Sequence, residues 1–142
     1  MNAKTTSAFP TAALIDGDWI TSKKTFPVLD PATGDKLADV PDMTAENAQR
    51  AIDAAYKAFP AWAAKPAKER GQILQRWCEL ILSETEALAQ LMTAEQGKPL
   101  AEARGEVAYG ASFIEWFAEE GKRAYGHTIP TTGTSRRYVT IN

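Results

Sequence analysis

The hydrophobic period of the chain changes at Pro41, and this change limits the folds that the sequence can adopt. Before Pro41, short apolar runs are separated by turn residues, which is typical of strands. After it, apolar residues recur every three to four positions, which is typical of amphipathic helices. The sequence therefore predicts an α+β fold. β-structure is expected in the first forty residues, a helical region over about 44–121, and a strand at the end of the chain.

Two turns divide the front of the chain. Asp16-Gly17 separates the run Ala13–Ile15 from Trp19-Ile20, and an Asp-Gly pair favours a two-residue hairpin because Gly readily adopts positive φ. A second turn is predicted at Asp30–Gly34, where Pro fixes one φ and Gly leaves another free. We therefore expect a β-hairpin or short meander, preceded by a flexible arm over residues 1–12, which are small, polar and without period.

Capping and breaking residues divide the region after Pro41 into four predicted helices. Thr44 caps the first, which is expected to run over about 44–59 because Pro60 closes it. The second begins at Pro66, a residue suited to a first helical turn. At Ser83, which forms a capping-box pattern with Glu86, a new helix or a kink is predicted, and this third segment ends at Gln96 before Gly97. The fourth extends from Pro99 to about Gly121.

Apolar spacing predicts which face of each helix is buried. The predicted stripes are Ala48, Ala51, Ile52, Ala55 and Phe59 in the first helix, Ile73, Leu74, Trp77, Leu80 and Ile81 in the second, and Leu100, Ala103, Val107, Ala111, Ile114 and Ala118 in the fourth.

The fourth helix carries a second apolar stripe, formed by Tyr109, Phe113 and Trp116 and projecting roughly opposite to the first. One interpretation is a helix packed between two layers, since apolar helix faces are usually buried. The other is that the aromatic face lines a ligand channel, because such channels are mostly walled by apolar and aromatic side chains. Periodicity alone does not choose between them.

Charge and hydropathy exclude several classes of protein. Sixteen Lys and Arg against eighteen Asp and Glu leave a net charge of -2, so the chain lacks the basic surface typical of nucleic-acid-binding proteins. No apolar run approaches the roughly 20 residues of a membrane helix, and the N-terminus has no signal or transit pattern. The expected protein is soluble and cytoplasmic, with neither a nucleic acid nor a membrane as partner.

Few residues are candidates for chemistry. The single cysteine excludes an internal disulfide, and with a single histidine the common Cys/His zinc clusters are excluded as well. Cys78 falls within an apolar helix and is interpreted as structural, whereas His127 is expected in a solvated loop with no nameable partner. Phosphate-binding glycine loops and the G-x-S-x-G nucleophile motif are absent from the sequence. We therefore predict no catalytic residue and no metal ligand.

Several motifs in order resemble the N-terminal part of aldehyde dehydrogenases. The resemblance covers residues 13–142 approximately, and the sequences of the motifs are most similar to those of bacterial succinate-semialdehyde dehydrogenases. It rests on the opening Leu14–Trp19, the turn Asp30–Gly34, the helix end Ala58–Trp62, the run Met92–Ala103 with Gly105-Glu106, and Ser112–Arg123 with Thr128–Pro130. Pro66 departs from relatives, which often have Ser or Thr as the helix cap there.

The resemblance implies an enzyme that oxidises an aldehyde, with succinate semialdehyde converted to succinate as the expected reaction and NAD or NADP as cofactor. In this family a cysteine attacks the aldehyde, hydride passes to the nicotinamide, and a glutamate activates water. None of these groups matches a residue of this chain, and Cys78 does not match the nucleophile. The chain alone is therefore predicted to be inactive and to bind no cofactor.

Site and domain assignments also follow from the resemblance. Tyr109, Phe113 and Trp116 lie on the helix that lines the family's substrate tunnel, so they are substrate-channel candidates. Residues 13–134 match the N-terminal part of the cofactor-domain region, and 135–142 match the first strand of the oligomerisation hairpin. The full-length enzyme is expected to be a homodimer or homotetramer. The alternative hypothesis is a stand-alone, non-catalytic helical module that binds a partner.

Overall fold

The structure is a computed structural model that describes residues 9–130, 132–133 and 136–139. The described part of the chain contains three antiparallel hairpins and four α-helices, which confirms the predicted α+β class. The strands are β1 (Ala13–Ile15), β2 (Asp18–Ile20), β3 (Thr25–Leu29), β4 (Lys36–Pro41), β5 (His127–Pro130) and β6 (Arg136–Val139). The helices are α1 (Ala45–Ala63), α2 (Ala67–Ser83), α3 (Thr85–Gln96) and α4 (Leu100–Glu120), and a 3-10 turn follows at Gly121–Arg123.

The front of the chain forms two separate two-stranded sheets, β1–β2 and β3–β4. Asp16 and Gly17 both have positive φ, 54° and 87°, and Ile15 pairs with Asp18, as a two-residue hairpin turn requires. In the second turn the Asp30 carboxylate accepts a hydrogen bond from the Ala32 amide at 2.8 Å. Both predicted turns are therefore confirmed.

Of the predicted arm over residues 1–12, Phe9 is half-buried and lines a small cavity with residues of β3, β4 and α3.

Helix α1 has the predicted cap but extends beyond its predicted end. The Thr44 hydroxyl accepts from the Asn47 amide at 3.3 Å, and the Asn47 side chain accepts from the Thr44 amide at 3.2 Å. Pro60 lies inside the helix, which ends at Ala63. Pro60 removes one amide donor, but its own carbonyl still accepts from the Ala64 amide at 3.0 Å, so the last turn forms.

The predicted capping box at Ser83 is wrong. Its hydroxyl donates to the Leu80 carbonyl at 2.8 Å, so Ser83 ends α2 and does not begin α3. The N-cap of α3 is Glu84, which makes no side-chain capping bond. The predicted end of α3 is confirmed, because Gly97 has φ 73° and its amide donates to the Thr93 carbonyl at 2.8 Å.

The core lies between α2, α3 and α4. Ala89 of α3 and Ala103 and Val107 of α4 are buried together, with Ile81, Leu88, Met92 and Leu100 packed against them. Small residues dominate it, so the helices approach closely. At Gly71 of α2, a Cβ atom would lie 2.9 Å from the Ala118 carbonyl oxygen of α4.

Two of the predicted buried stripes need correction. In α1 only Ala51 of the predicted stripe is half-buried, and Ile52 and Phe59 are exposed, because α1 packs mainly on β1. In α2 the buried positions are Gly71 and Cys78, with Leu74 and Ile81 half-buried; Ile73, Trp77 and Leu80 are exposed. The stripe of α4 is confirmed, since its six predicted positions are buried or half-buried.

The end of the chain forms a hairpin in which His127 pairs with Val139. His127 therefore lies in β5, and the predicted loop at this position is wrong. The predicted terminal strand is present over Arg136–Val139, whereas 140–142 lie outside the described residues. In this hairpin β6 pairs with β5. The assignment of 135–142 to the first strand of the oligomerisation hairpin stays a prediction.

Candidate functional site

Helix α4 has one buried apolar face and one exposed aromatic face. Ala103, Val107, Ala111 and Ala118 are buried against the other helices. The opposite side, which we call the aromatic face, is formed by the predicted channel residues Tyr109, Phe113 and Trp116, whose exposed fractions are 65%, 47% and 64%. Within the described chain, the second apolar stripe of α4 is therefore not covered by another layer.

The rings of the aromatic face are partly ordered by contact with one another. The ring centroids of Tyr109 and Phe113 lie 4.8 Å apart at an interplanar angle of 78°, an edge-to-face arrangement that stabilises aromatic pairs by about 0.5–1.5 kcal/mol. Ser112 donates its hydroxyl to the Tyr109 carbonyl at 2.7 Å and so presents little polarity to the face. The result is an apolar wall about two turns of the helix long.

An open depression of about 860 Å³ lies along this wall. Phe113 and Trp116 line it, whereas Tyr109 lies outside the lining and contacts it through Phe113. Sequence analysis missed the further aromatic Phe117, whose position four residues after Phe113 was the available signal. The remaining lining residues are Ser112, Glu115, Glu119, Glu120 and Arg123.

Charged groups surround the C-terminal end of the aromatic face. Lys122 donates to both carboxylate oxygens of Glu119 at 3.1 and 3.2 Å, and Gln75 of α2 donates to the same carboxylate at 2.9 Å. Arg123 Nη1 donates to Glu120 Oε2 at 2.9 Å. The cluster therefore contains two compensated carboxylates and one, Glu115, that has no ion-pair partner in the described part of the chain.

Cys78 and His127 are the single cysteine and histidine of the sequence, and Cys78 is not among the residues that line this depression. Cys78 is buried, and its thiol donates to the Ala111 carbonyl at 3.5 Å, which is a packing role between α2 and α4. The backbone of His127 is part of the β5–β6 ladder. Among residues 9–130, 132–133 and 136–139, no group of three acidic, Cys or His side chains is arranged to hold a metal ion.

A second groove of about 520 Å³ lies between α2, α3 and α4. Its apolar lining includes Leu91 and Met92 of α3 and Ile114 of α4, and Glu95 and Glu106 stand among the lining residues. Lys98 forms an ion pair with Glu106. The groove has no counterpart among the sequence-based site predictions.

Comparison with known proteins identifies the family. The model of the aldehyde dehydrogenase family matches residues 19–142, nearly the whole chain. The chain belongs to the aldehyde dehydrogenase family. The predicted resemblance is therefore confirmed, and α4 with its aromatic face lies within the matched region.

Individual relatives are similar over almost all of this chain. It is 52% identical to 3-sulfolactaldehyde dehydrogenase of Pseudomonas putida over 98% of its length, and 51% identical to the NADP⁺-dependent succinate-semialdehyde dehydrogenase of Escherichia coli over 99%. The crystal structure of succinate-semialdehyde dehydrogenase from Burkholderia pseudomallei matches with a TM-score of 0.82 and 53% identity, over 87% of this chain and 26% of that one. The chain spans only 29% and 30% of the two curated relatives.

The described residues do not fit a dinucleotide cofactor. Rossmann-type dinucleotide-binding sites need a parallel sheet. Its strands lead into helices whose N-termini bind the phosphates. Here each described sheet has two antiparallel strands.

Among the described helices, none is long and apolar enough to cross a membrane.

Proposed function

We propose that this chain is the N-terminal segment of an NAD(P)⁺-dependent aldehyde dehydrogenase that oxidises succinate semialdehyde to succinate. The observation that carries the proposal is the identity of 51–52% to relatives named for two aldehydes with an anionic distal group, a carboxylate in one and a sulfonate in the other. The shared chemistry supports a short aldehyde with a distal anion as the substrate class. Oligomer formation and a cytoplasmic location remain predictions for the full-length protein.

Within that enzyme, we assign the aromatic face of α4 to one wall of the substrate channel. Its rings are exposed in this chain, pre-arranged by the edge-to-face contact, and next to an open depression. An apolar wall of this kind excludes water and limits the orientations of a short aldehyde, while catalytic groups and cofactor are supplied from outside this segment.

The activity test uses the full-length protein whose reading frame contains this chain. We expect reduction of NADP⁺ or NAD⁺ with succinate semialdehyde, followed by absorbance of the reduced nicotinamide. Parallel assays with neutral aldehydes of similar length measure the preference for the anionic group. Absence of turnover with any anionic short-chain aldehyde would contradict the proposed substrate class.

The wall assignment is tested by Phe113→Ala and Trp116→Ala in the same protein. Because both side chains are about half exposed or more, we expect kcat/KM for the semialdehyde to fall while the free energy of unfolding changes by less than about 2 kcal/mol. The matched control is Phe26→Ala, an aromatic of similar exposure on β3, which should leave the kinetics unchanged. A stability loss of about 3–5 kcal/mol with unchanged kinetics would make both residues structural.

A further inference from the structure

Two carboxylates stand at the C-terminal end of α4, where the helix dipole disfavours them. Glu119 and Glu120 are the last residues of α4, and its last turn, all of it described, contains no basic residue. Partial negative charge accumulates on the free carbonyls of a helix C-terminus, so an anionic side chain there weakens the helix. Helix stability therefore does not account for the presence of these two residues.

The Glu119 carboxylate joins three elements of the chain. Gln75 Nε2 of α2 donates to Glu119 Oε1 at 2.9 Å, and Lys122 Nζ of the 3-10 turn donates to both carboxylate oxygens at 3.1 and 3.2 Å. The Lys122 side chain passes close to α2, since its Cε lies 3.9 Å from where a Cβ atom of Gly71 would be. These bonds form a network, and a network stabilises more than an isolated exposed ion pair does.

Backbone packing holds the same end of α4 against α2. A Cβ atom at Gly71 would lie 2.9 Å from the Ala118 carbonyl oxygen, so the two backbones approach closely there. Gln75 lies one helical turn after Gly71, and Glu119 directly follows Ala118. The close approach sets the distance between the helices, and the side-chain bond beside it limits the rotation of α4 about its own axis.

The position of Trp116 depends on this rotation. Trp116 lies three residues before Glu119, and both line the depression. The Trp116 ring is exposed, so packing within the described chain restrains it little. Helix ends fray, and a frayed last turn would displace the ring together with the backbone that carries it. The bonds of Glu119 therefore act on the wall through the backbone of α4.

We propose that Glu119 is a positioning residue, which fixes the C-terminal end of α4 on α2 and so holds Trp116 in the wall of the substrate channel. This inference rests on the proposed function, from which it takes the channel. It adds a residue that acts on the substrate only through Trp116, with Gln75 and Lys122 as its two partners.

The kinetic test compares Glu119→Gln and Gln75→Leu with the unchanged full-length protein, using succinate semialdehyde. Glu119→Gln keeps an oxygen acceptor for Gln75 but loses the ion pair with Lys122, whereas Gln75→Leu removes the bond to α2. Each should raise KM about two- to fivefold, the size expected from one exposed charged contact. The kcat should stay nearly unchanged, because the wall binds the substrate without taking part in the chemistry.

A Trp116→Ala background separates positioning from a general effect on the fold. If Glu119 acts through Trp116, Glu119→Gln should raise KM little further in that background, since coupled residues are non-additive. The matched control is Glu79→Gln on α2, where Glu79 pairs with Arg76 at 3.1 Å outside the depression, and it should leave KM unchanged. Additive effects of Glu119→Gln and Trp116→Ala, or an unchanged KM in Glu119→Gln, would overturn the inference.

Amide hydrogen exchange of the full-length protein tests the link without any turnover. Peptides covering 113–123 should exchange about two- to fivefold faster in Glu119→Gln and Gln75→Leu, and at the unchanged rate in Glu79→Gln. Faster exchange in a protein without turnover on any anionic short-chain aldehyde would contradict the proposed reaction and support the link. Unchanged exchange in both variants would overturn the link, whatever the kinetics.

Discussion

Glu86, in the first turn of α3, joins that helix to α4 through the Arg104 guanidinium. Arg104 donates from Nε to Oε2 at 2.8 Å and from Nη2 to Oε1 at 3.0 Å, and Gln90 adds a third bond at 2.9 Å. These hydrogen bonds, that of Arg104 first, lower the pKa of Glu86 from 4.5 to about 2. The ionised carboxylate is thus favoured in the folded chain.

The depressed pKa predicts how stability depends on pH. Since the pKa of Glu86 is lower when folded, its contribution is present above about pH 4.5 and is lost as the pH falls towards 2. In Arg104→Gln, an NMR titration should show a higher pKa for Glu86, because its main hydrogen-bond donor is gone while that of Gln90 remains. A wild-type Glu86 that already titrates near 4.5 would show that the bidentate pair does not form in solution.

At the scale of elements, the contact between α2 and α4 depends on small residues. Gly71 meets the Ala118 carbonyl where no Cβ fits, and the buried Cys78 thiol reaches the Ala111 carbonyl farther along the same helix. A close approach of this kind sets the distance between the two helices. It also fixes which side of α4 faces the interior and therefore where the aromatic face points.

Gly71→Ala is expected to destabilise the helix pair. Its Cβ would lie 2.9 Å from the Ala118 oxygen, a backbone atom that moves only with α4, so a loss of about 1–3 kcal/mol is expected from chemical denaturation. The matched control is Gly105→Ala in α4, where nothing lies within 4 Å of the added atom. That change should stabilise the helix by about 0.5–1 kcal/mol. Equal effects of the two substitutions would contradict the close packing.

At the scale of the whole molecule, the chain leaves much of its apolar surface uncovered. Large apolar side chains of α1, α2 and α4 are among the exposed residues: Ile52, Tyr56, Phe59, Ile73, Trp77, Leu80, Tyr109, Phe113, Trp116 and Phe117. Exposed apolar side chains spread over three helices favour association with another apolar surface.

The 142-residue chain made alone is therefore expected to associate and to have no activity. Light scattering should give a mass above that of a monomer, because the exposed faces of α1, α2 and α4 bury one another. An assay with succinate semialdehyde and both nicotinamides should show no turnover, since nothing in the described part of the chain holds hydride donor and acceptor within reacting distance. Measurable turnover, or a monomer with a sharp cooperative melt, would instead favour a self-sufficient module.

Local signals determined where the elements lie. The Asp16-Gly17 turn, the Thr44 cap and Gly97 act on backbone groups a few residues away, so they can be found from the sequence alone. The capping-box prediction at Ser83 was wrong for a reason that is also local. The Ser83 hydroxyl donates its hydrogen bond to the Leu80 carbonyl, three residues earlier, and does not cap α3. Family motifs spread along the chain identified the family but not the geometry of a site.

Only the tertiary structure decided which apolar faces are buried. Spacing places Ile73 and Trp77 on the predicted stripe of α2, but burial requires a neighbouring element, and α4 packs instead on the side carrying Gly71 and Cys78, so both residues stay exposed. The exposure of the aromatic face depends on that packing in the same way. Periodicity specifies a face of one helix, whereas burial is a property of at least two elements in contact.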